Sequence, residues 1–379
     1  MVTEPTPVRC PIIADPTAGL ADPTDFDPLL GRLDRPAPIA DAETFPRGTV
    51  RADGRLDLCK QGVGPAQAAR IAAAAAGSPL VRHLLLGTNA LGGPGARAVA
   101  DALRPGHRLH TLYLGCNLID AGGVDALADR LAADGEVRAL WLKRNPVGDD
   151  GVGRLAEALR VNTTLRTLDL VNVGMSVVGL ARLADALTER PVPVQRLFLG
   201  GNGFGPEAVP VLGTLIHAAG VRELYLAANH LGDDGVAALA ALADGVPVTL
   251  GLGGNGVTPV GVAALARHLA AWEALDLARP PSERALGAHG NVVGDAGAEA
   301  LAAALPGARL RRLDVRRTEI GGRGARRLVA AIEGHPTLLY LGINGGVPRR
   351  QRRRAAELLA GQPAPVPHED IQAIASVYR

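Results

Sequence analysis

The stretch Ala139 to Leu159, ALWLKRNPVGDDGVGRLAEAL, changes periodicity halfway along. It opens by alternation, with Leu140 and Leu142 on one side and Trp141 on the other, as a β-strand requires. It closes with Leu155 and Leu159 four residues apart, which is helical spacing. The reading is strand, turn, helix. It leaves a tryptophan pointing away from the two core leucines.

The same unit recurs along the chain. In register with Leu140 stand Leu56, Leu84, Leu112, Leu168, Leu197, Leu224, Leu250, Leu275, Leu313 and Leu341. Successive spacings are 25 to 29 residues, with one of 38 between Leu275 and Leu313. Five residues after the leucine comes Asn in six units, as at Asn89, Asn117 and Asn145, and in a seventh Asn291 comes sixteen after Leu275; each is placed to satisfy backbone groups in a buried turn. A glycine such as Gly123 or Gly151 opens the helical half and permits close backbone approach. Aspartates near that point, Asp120, Asp149, Asp233 and Asp295 among them, suit the positive end of a helix dipole. One unit cannot bury its apolar side alone, so parallel stacking is expected.

This pattern resembles the leucine-rich repeat family, and the length near 28 residues resembles its ribonuclease-inhibitor type. The resemblance covers roughly residues 50 to 360 in about eleven units. It implies an α/β solenoid, a horseshoe with a parallel β-sheet on the concave face and helices on the convex face. It implies no particular partner, and the motif residues are scaffold. The expected organisation is a Pro-rich extension over 1–48 that covers the first unit, the repeats over 49–360, and a linker and tail over 361–379. In the tail, Ile371, Ile374 and Tyr378 share a helical face; a docked cap and a partner-binding peptide are both open readings.

Two departures interrupt the repeats. In the fifth unit Val173 takes the place of the Asn, and Asn172 stands one position early. That is a tolerated irregularity or a bend that shapes a site. Between Asp276 and Asn291 the segment 278–290, ARPPSERALGAHG, stands where a regular unit has two residues. It falls on the rim of the concave opening, as a neutral insertion or as part of a binding face.

The totals narrow the classes. Three cysteines (Cys10, Cys59, Cys116) offer neither a disulfide framework nor metal-ligand spacing. The first residues lack the basic and apolar regions of a signal peptide, and no apolar run approaches membrane-span length. The expectation is a soluble cytoplasmic protein with no membrane partner, no metal and no cofactor. Residues 306–354 carry thirteen Arg against three acids. Without interleaved aromatics they read as a solvated face, and nucleic acid is not the expected partner. GLGGNG at 251–256, with Asp276 beyond it, matches the dinucleotide fingerprint on paper. Each of its elements is already explained by the repeat, and a solenoid has no topological switch point for the cofactor.

The residue between the two core positions of each strand faces the concave side. That column reads Asp57, Leu85, Tyr113, Trp141, Asp169, Phe198, Tyr225, Gly251, Asp276, Asp314 and Gly342. It holds four of the protein's ten aromatic residues, so core demand does not account for them. Exposed aromatics of this kind mark interaction sites. The leading expectation is a protein- or peptide-binding scaffold. Tyr113, Trp141, Phe198 and Tyr225 are its anchors, and Lys143, Asp169, Asp276, Asp314 and Arg316 its charged frame. The alternative is an enzyme in the same hollow, with Asp169 made basic by desolvation and Lys143 or Arg144 holding an anion. The oligomeric state is not legible.

Overall fold

A computed structural model describes residues 5–10, 13–281 and 283–378. The described residues form two compact units, one from 7–195 with 367–378, the other from 5–6 with 196–366. In both, strands follow chain order across the sheet and each parallel strand is followed by a helix.

The first unit begins with two short antiparallel strands, Glu43–Thr44 and Thr49–Val50, the second pairing with Arg55–Asp57. The parallel strands His83–Leu85, Thr111–Tyr113, Ala139–Trp141 and Thr167–Asp169 follow. Leucine faces leucine throughout, Leu56 to Leu84 to Leu112 to Leu140 to Leu168, as the sequence register requires. The helices Gly64–Gly77, Gly92–Ala102, Ala121–Ala132, Gly148–Val161 and Val177–Glu189 alternate with these strands. Phe26, Leu29 and Leu33, from the short helices Pro23–Phe26 and Asp27–Leu33, are buried, and Ser78 donates its hydroxyl to the Leu33 carbonyl. The helix Asp27–Leu33 lies against the helix Gly64–Gly77.

The second unit is a sheet of Arg196–Phe198, Glu223–Tyr225, Thr249–Gly251, Ala274–Asp276, Arg312–Asp314 and Tyr340–Gly342, all parallel. Its core leucines are again in register, from Leu197 to Leu341.

Side chains connect successive repeats as much as the sheet does. Asn117 Nδ2 donates to the carbonyls of Leu86 and Leu114, while its own N–H donates to Asn145 Oδ1 at 2.8 Å. Each buried asparagine thus ties its own turn to the preceding one. Thr318, where the tenth unit lacks the Asn, donates its hydroxyl to the Val315 carbonyl instead. The aspartates stand at the helix starts as expected, with Asp120 accepting the Gly123 N–H of its own helix, and three of them also reach the next repeat. Asp149 Oδ1 accepts the N–H of Ser176, Asp233 Oδ1 that of Thr258, and Asp295 Oδ1 those of Gly321 and Gly324. They satisfy donors at the start of the next repeat's helix. Gly123 meets the expected close approach, since a Cβ there would lie 2.9 Å from Gly93 Cα on the neighbouring helix.

Asn172 also has a physical reason. Four residues beyond each core leucine the backbone turns left-handed, at Lys60, Thr88, Cys116, Arg144, Asn172, Ala228 and Arg317. Asn tolerates this conformation better than most residues. From there Asn172 Oδ1 accepts the N–H of Arg9 at 2.9 Å and its Nδ2 donates to the Pro7 carbonyl. Cys116, in the same column, forms a disulfide with Cys10. The first described residues therefore lie along the turns of this unit. The expectation drawn from the cysteine count is corrected: two of the three are paired, so the count gives no support to a reducing compartment.

Candidate functional site

In the first unit the column after Leu85 is Tyr113, Trp141 and Asp169, on the sheet face opposite the helices. The register is as expected but the exposure is not. Tyr113 is 3% exposed, and Trp141 and Asp169 2% each. The expected open aromatic patch is corrected here: these side chains point away from the leucine core and are nevertheless covered.

Residues 367–377 dock on the same face at the start of the Thr167–Asp169 strand. Asp370 is buried, with Oδ2 accepting from Thr167 Oγ1 at 2.6 Å and from Arg166 Nε at 3.1 Å, while Oδ1 accepts from Arg166 Nη2 at 3.1 Å. Glu369 pairs with the same guanidinium. Thr167 lies two residues before Asp169 on one strand and so shares its face. Ala373 and Ile374 are buried behind the acids. Burial pushes His83, on the same face and near Asp370, down to about 4. The 361–379 segment thus ends in a docked cap; the Tyr378 side chain, named for its helical face, lies outside the described residues.

Asp169 is pushed up to about 6 by burial, with Lys143 pulling the other way and the Val171 N–H donating to Oδ1 at 2.8 Å. The Lys143 ammonium stands 5.6 Å from the Tyr113 ring centroid, within cation–π range. Arg144 occupies a left-handed turn position beyond the strand rather than the sheet face.

In the second unit the same column is partly accessible at Phe198 and Tyr225, which are half-buried and stack with centroids 4.3 Å apart and planes within 6°. Tyr225 Oη donates to Glu223, which also pairs with Arg196 at 2.7 Å. Burial first, then Glu223, raise the phenol well above its ordinary range. Gly251 follows in the column, and a Cβ there would meet the Tyr225 ring at 2.8 Å. Asp276 and Asp314 are then neighbours on adjacent strands. Asp314 is fully buried and held by Arg316 at 2.7 Å and Arg312 at 3.2 Å, with the Arg312 guanidinium over the Tyr340 ring. Asp276 is pushed up to about 6 by burial, then by Asp314, with the Ala278 N–H, Arg312 and Arg316 pulling the other way. Among the described residues no cluster of metal-ligating groups occurs.

The insert packs against the turns of this unit. Leu286 and Ala288 are buried with Ala228, and Arg279 pairs with Glu283 at 2.9 Å. A Cβ on Gly253 would collide with the Ala278 carbonyl oxygen, as one on Gly200 would with that of Ala227, so this close approach belongs to the repeat. A Cβ on Gly254 would lie 3.1 Å from Pro280 of the insert. Replacing Gly253 with Ala is expected to cost about 1–3 kcal/mol by overpacking. Cutting the insert to the regular two residues should leave that cost unchanged. Urea denaturation of the double-mutant cycle measures it; a cost that vanishes with the insert would refute the repeat origin.

Residues 221–240, holding the Glu223–Tyr225 strand and most of the following helix, match a family model described as Leucine Rich repeat. With the alternating strands and helices of both units, the match fits a leucine-rich repeat protein. No curated protein matches the chain. Among the described residues no helix is long and apolar enough to cross a membrane.

Proposed function

We propose that the chain is a leucine-rich repeat scaffold that binds a partner protein or peptide on the sheet face opposite the helices. Phe198 and Tyr225 are the apolar anchors, and Asp276, Asp314 and Arg316 frame them. Tyr113, Trp141, Lys143 and Asp169 form a second group on the corresponding face of the first unit.

One observation carries this reading. The Phe198–Tyr225 stack is half-buried on the outward face, while the helix side is filled by Leu197, Leu199, Leu224 and Leu226. The rings are therefore surplus to the core, and stacked aromatics offer large rigid contact area at small entropic cost. Asp276 suits a cationic group on the partner, which would lower its raised pKa.

The test is the double variant Phe198→Ala/Tyr225→Ala. A partner captured by the native chain should bind it about thirtyfold more weakly, the loss of a hot spot of about 2 kcal/mol. Circular dichroism should remain native. Native affinity in a folded double variant would overturn the assignment.

A further inference from the structure

Residues 361–364 and 366–367 are exposed, including Val366 at 80%, and then the chain turns abruptly into a seated segment. This linker, GQPAPVP, carries three prolines and does not pack as a repeat. Beyond it, His368 caps a single turn, Glu369–Gln372, by accepting the Asp370 N–H. That turn places Asp370, Ala373 and Ile374 on one side, at i, i+3 and i+4. All three are buried, whereas Glu369 and Gln372 face solvent. The receiving surface is complementary, with a guanidinium and a hydroxyl for the acid beside a floor of Thr111, Ala139 and Thr167. None of this is repeat architecture. It is a short tethered peptide held on a sheet face by a bidentate charge pair and a small apolar contact.

We infer that residues 367–377 are a built-in competitor, and that this face of the 7–195 unit takes a partner peptide of the same chemistry. The peptide carries an acidic pair followed by small or aliphatic residues three and four positions after the second acid. Arg166 and Thr167 read the acid, because a guanidinium fork matches a carboxylate in two places. The apolar positions displace Ala373 and Ile374. A tethered segment acts at an effective concentration near the millimolar range, so it masks the face from weak ligands and yields to tight ones. This inference uses residues distinct from Phe198 and Tyr225 and stands or falls separately from them.

The probe is a fluorescent synthetic peptide of residues 367–379. Its binding to the full chain is measured by anisotropy in the native form and as Asp370→Lys. The Asp370→Lys chain, whose own segment is repelled by Arg166, should bind the probe ~100-fold more tightly than the native chain. Arg166→Glu should abolish probe binding, and a probe carrying Asp370→Arg should restore it on that variant. A second route leaves every side chain native. A protease site inserted between residues 362 and 366 is cut after folding, and the freed segment should exchange with the probe. A folded Asp370→Lys chain that shows no saturable binding would reduce the segment to a structural cap, as would a cut chain that never exchanges. If Phe198→Ala/Tyr225→Ala binds the probe normally, the two surfaces are independent. Loss of probe binding in that double variant would overturn their separation.

Discussion

Trp141→Ala is expected to destabilise the fold by about 3–5 kcal/mol, the usual cost of truncating a buried large aromatic. By strand alternation alone the side chain points outward, and an exposed truncation costs within about 0.5 kcal/mol. The difference arises because Trp141 is only 2% exposed and its ring lies 6.4 Å from that of Tyr113. Removing the indole leaves a void in a closely packed setting. Urea denaturation of native and variant chains measures the loss. A change below about 0.5 kcal/mol would show that the side chain is exposed in solution.

Asp169→Asn is expected to stabilise the protein at pH 7 by up to about 3 kcal/mol and to change little at pH 4. Burial raises the folded-state pKa of Asp169 from 3.8 to about 6. A carboxyl raised on folding holds its proton in the folded chain while the unfolded chain has already released it. Its favourable contribution is complete below the unfolded value and is lost as pH rises through about 6. About two pKa units correspond to about 3 kcal/mol. Asparagine keeps an acceptor for the Val171 N–H, so the substitution removes the charge and preserves the hydrogen bond. Denaturation midpoints of the two chains at pH 4 and pH 7 provide the check. An equal difference at both pH values would mean that Asp169 is hydrated and its face uncovered.

Docking of residues 367–377 has a pH dependence of its own. The Glu369 carboxyl is held below its ordinary range by Arg166 and loses that pairing when protonated, so acidification weakens the docking.

Much of the fold was legible because repetition multiplies weak signals. A three-residue strand such as Ala139–Trp141 says little alone. Eleven leucines in one register specify strand, turn and helix, and the observed pairing of Leu112 with Leu140, and of Leu140 with Leu168, follows that register. The buried asparagines were legible for the same reason: one residue type recurred where one set of backbone groups needed a partner. Phe198 and Tyr225 were correctly placed on the outward face, because strand alternation is local geometry.

What the sequence alone determined is everything set by contacts between neighbouring repeats: the α/β class, the register, and which face each strand residue takes. Only the tertiary structure decided which outward faces remain open. Cys10 reaches Cys116, Asn172 holds Pro7 and Arg9, and Asp370 reaches Arg166 across 204 positions. The insert likewise returns onto Ala228. These contacts join segments outside the repeat period, so no local pattern encodes them. Burial of a polar or aromatic side chain depends on whatever chain arrives from elsewhere, and a sheet face carries no local mark of its cover.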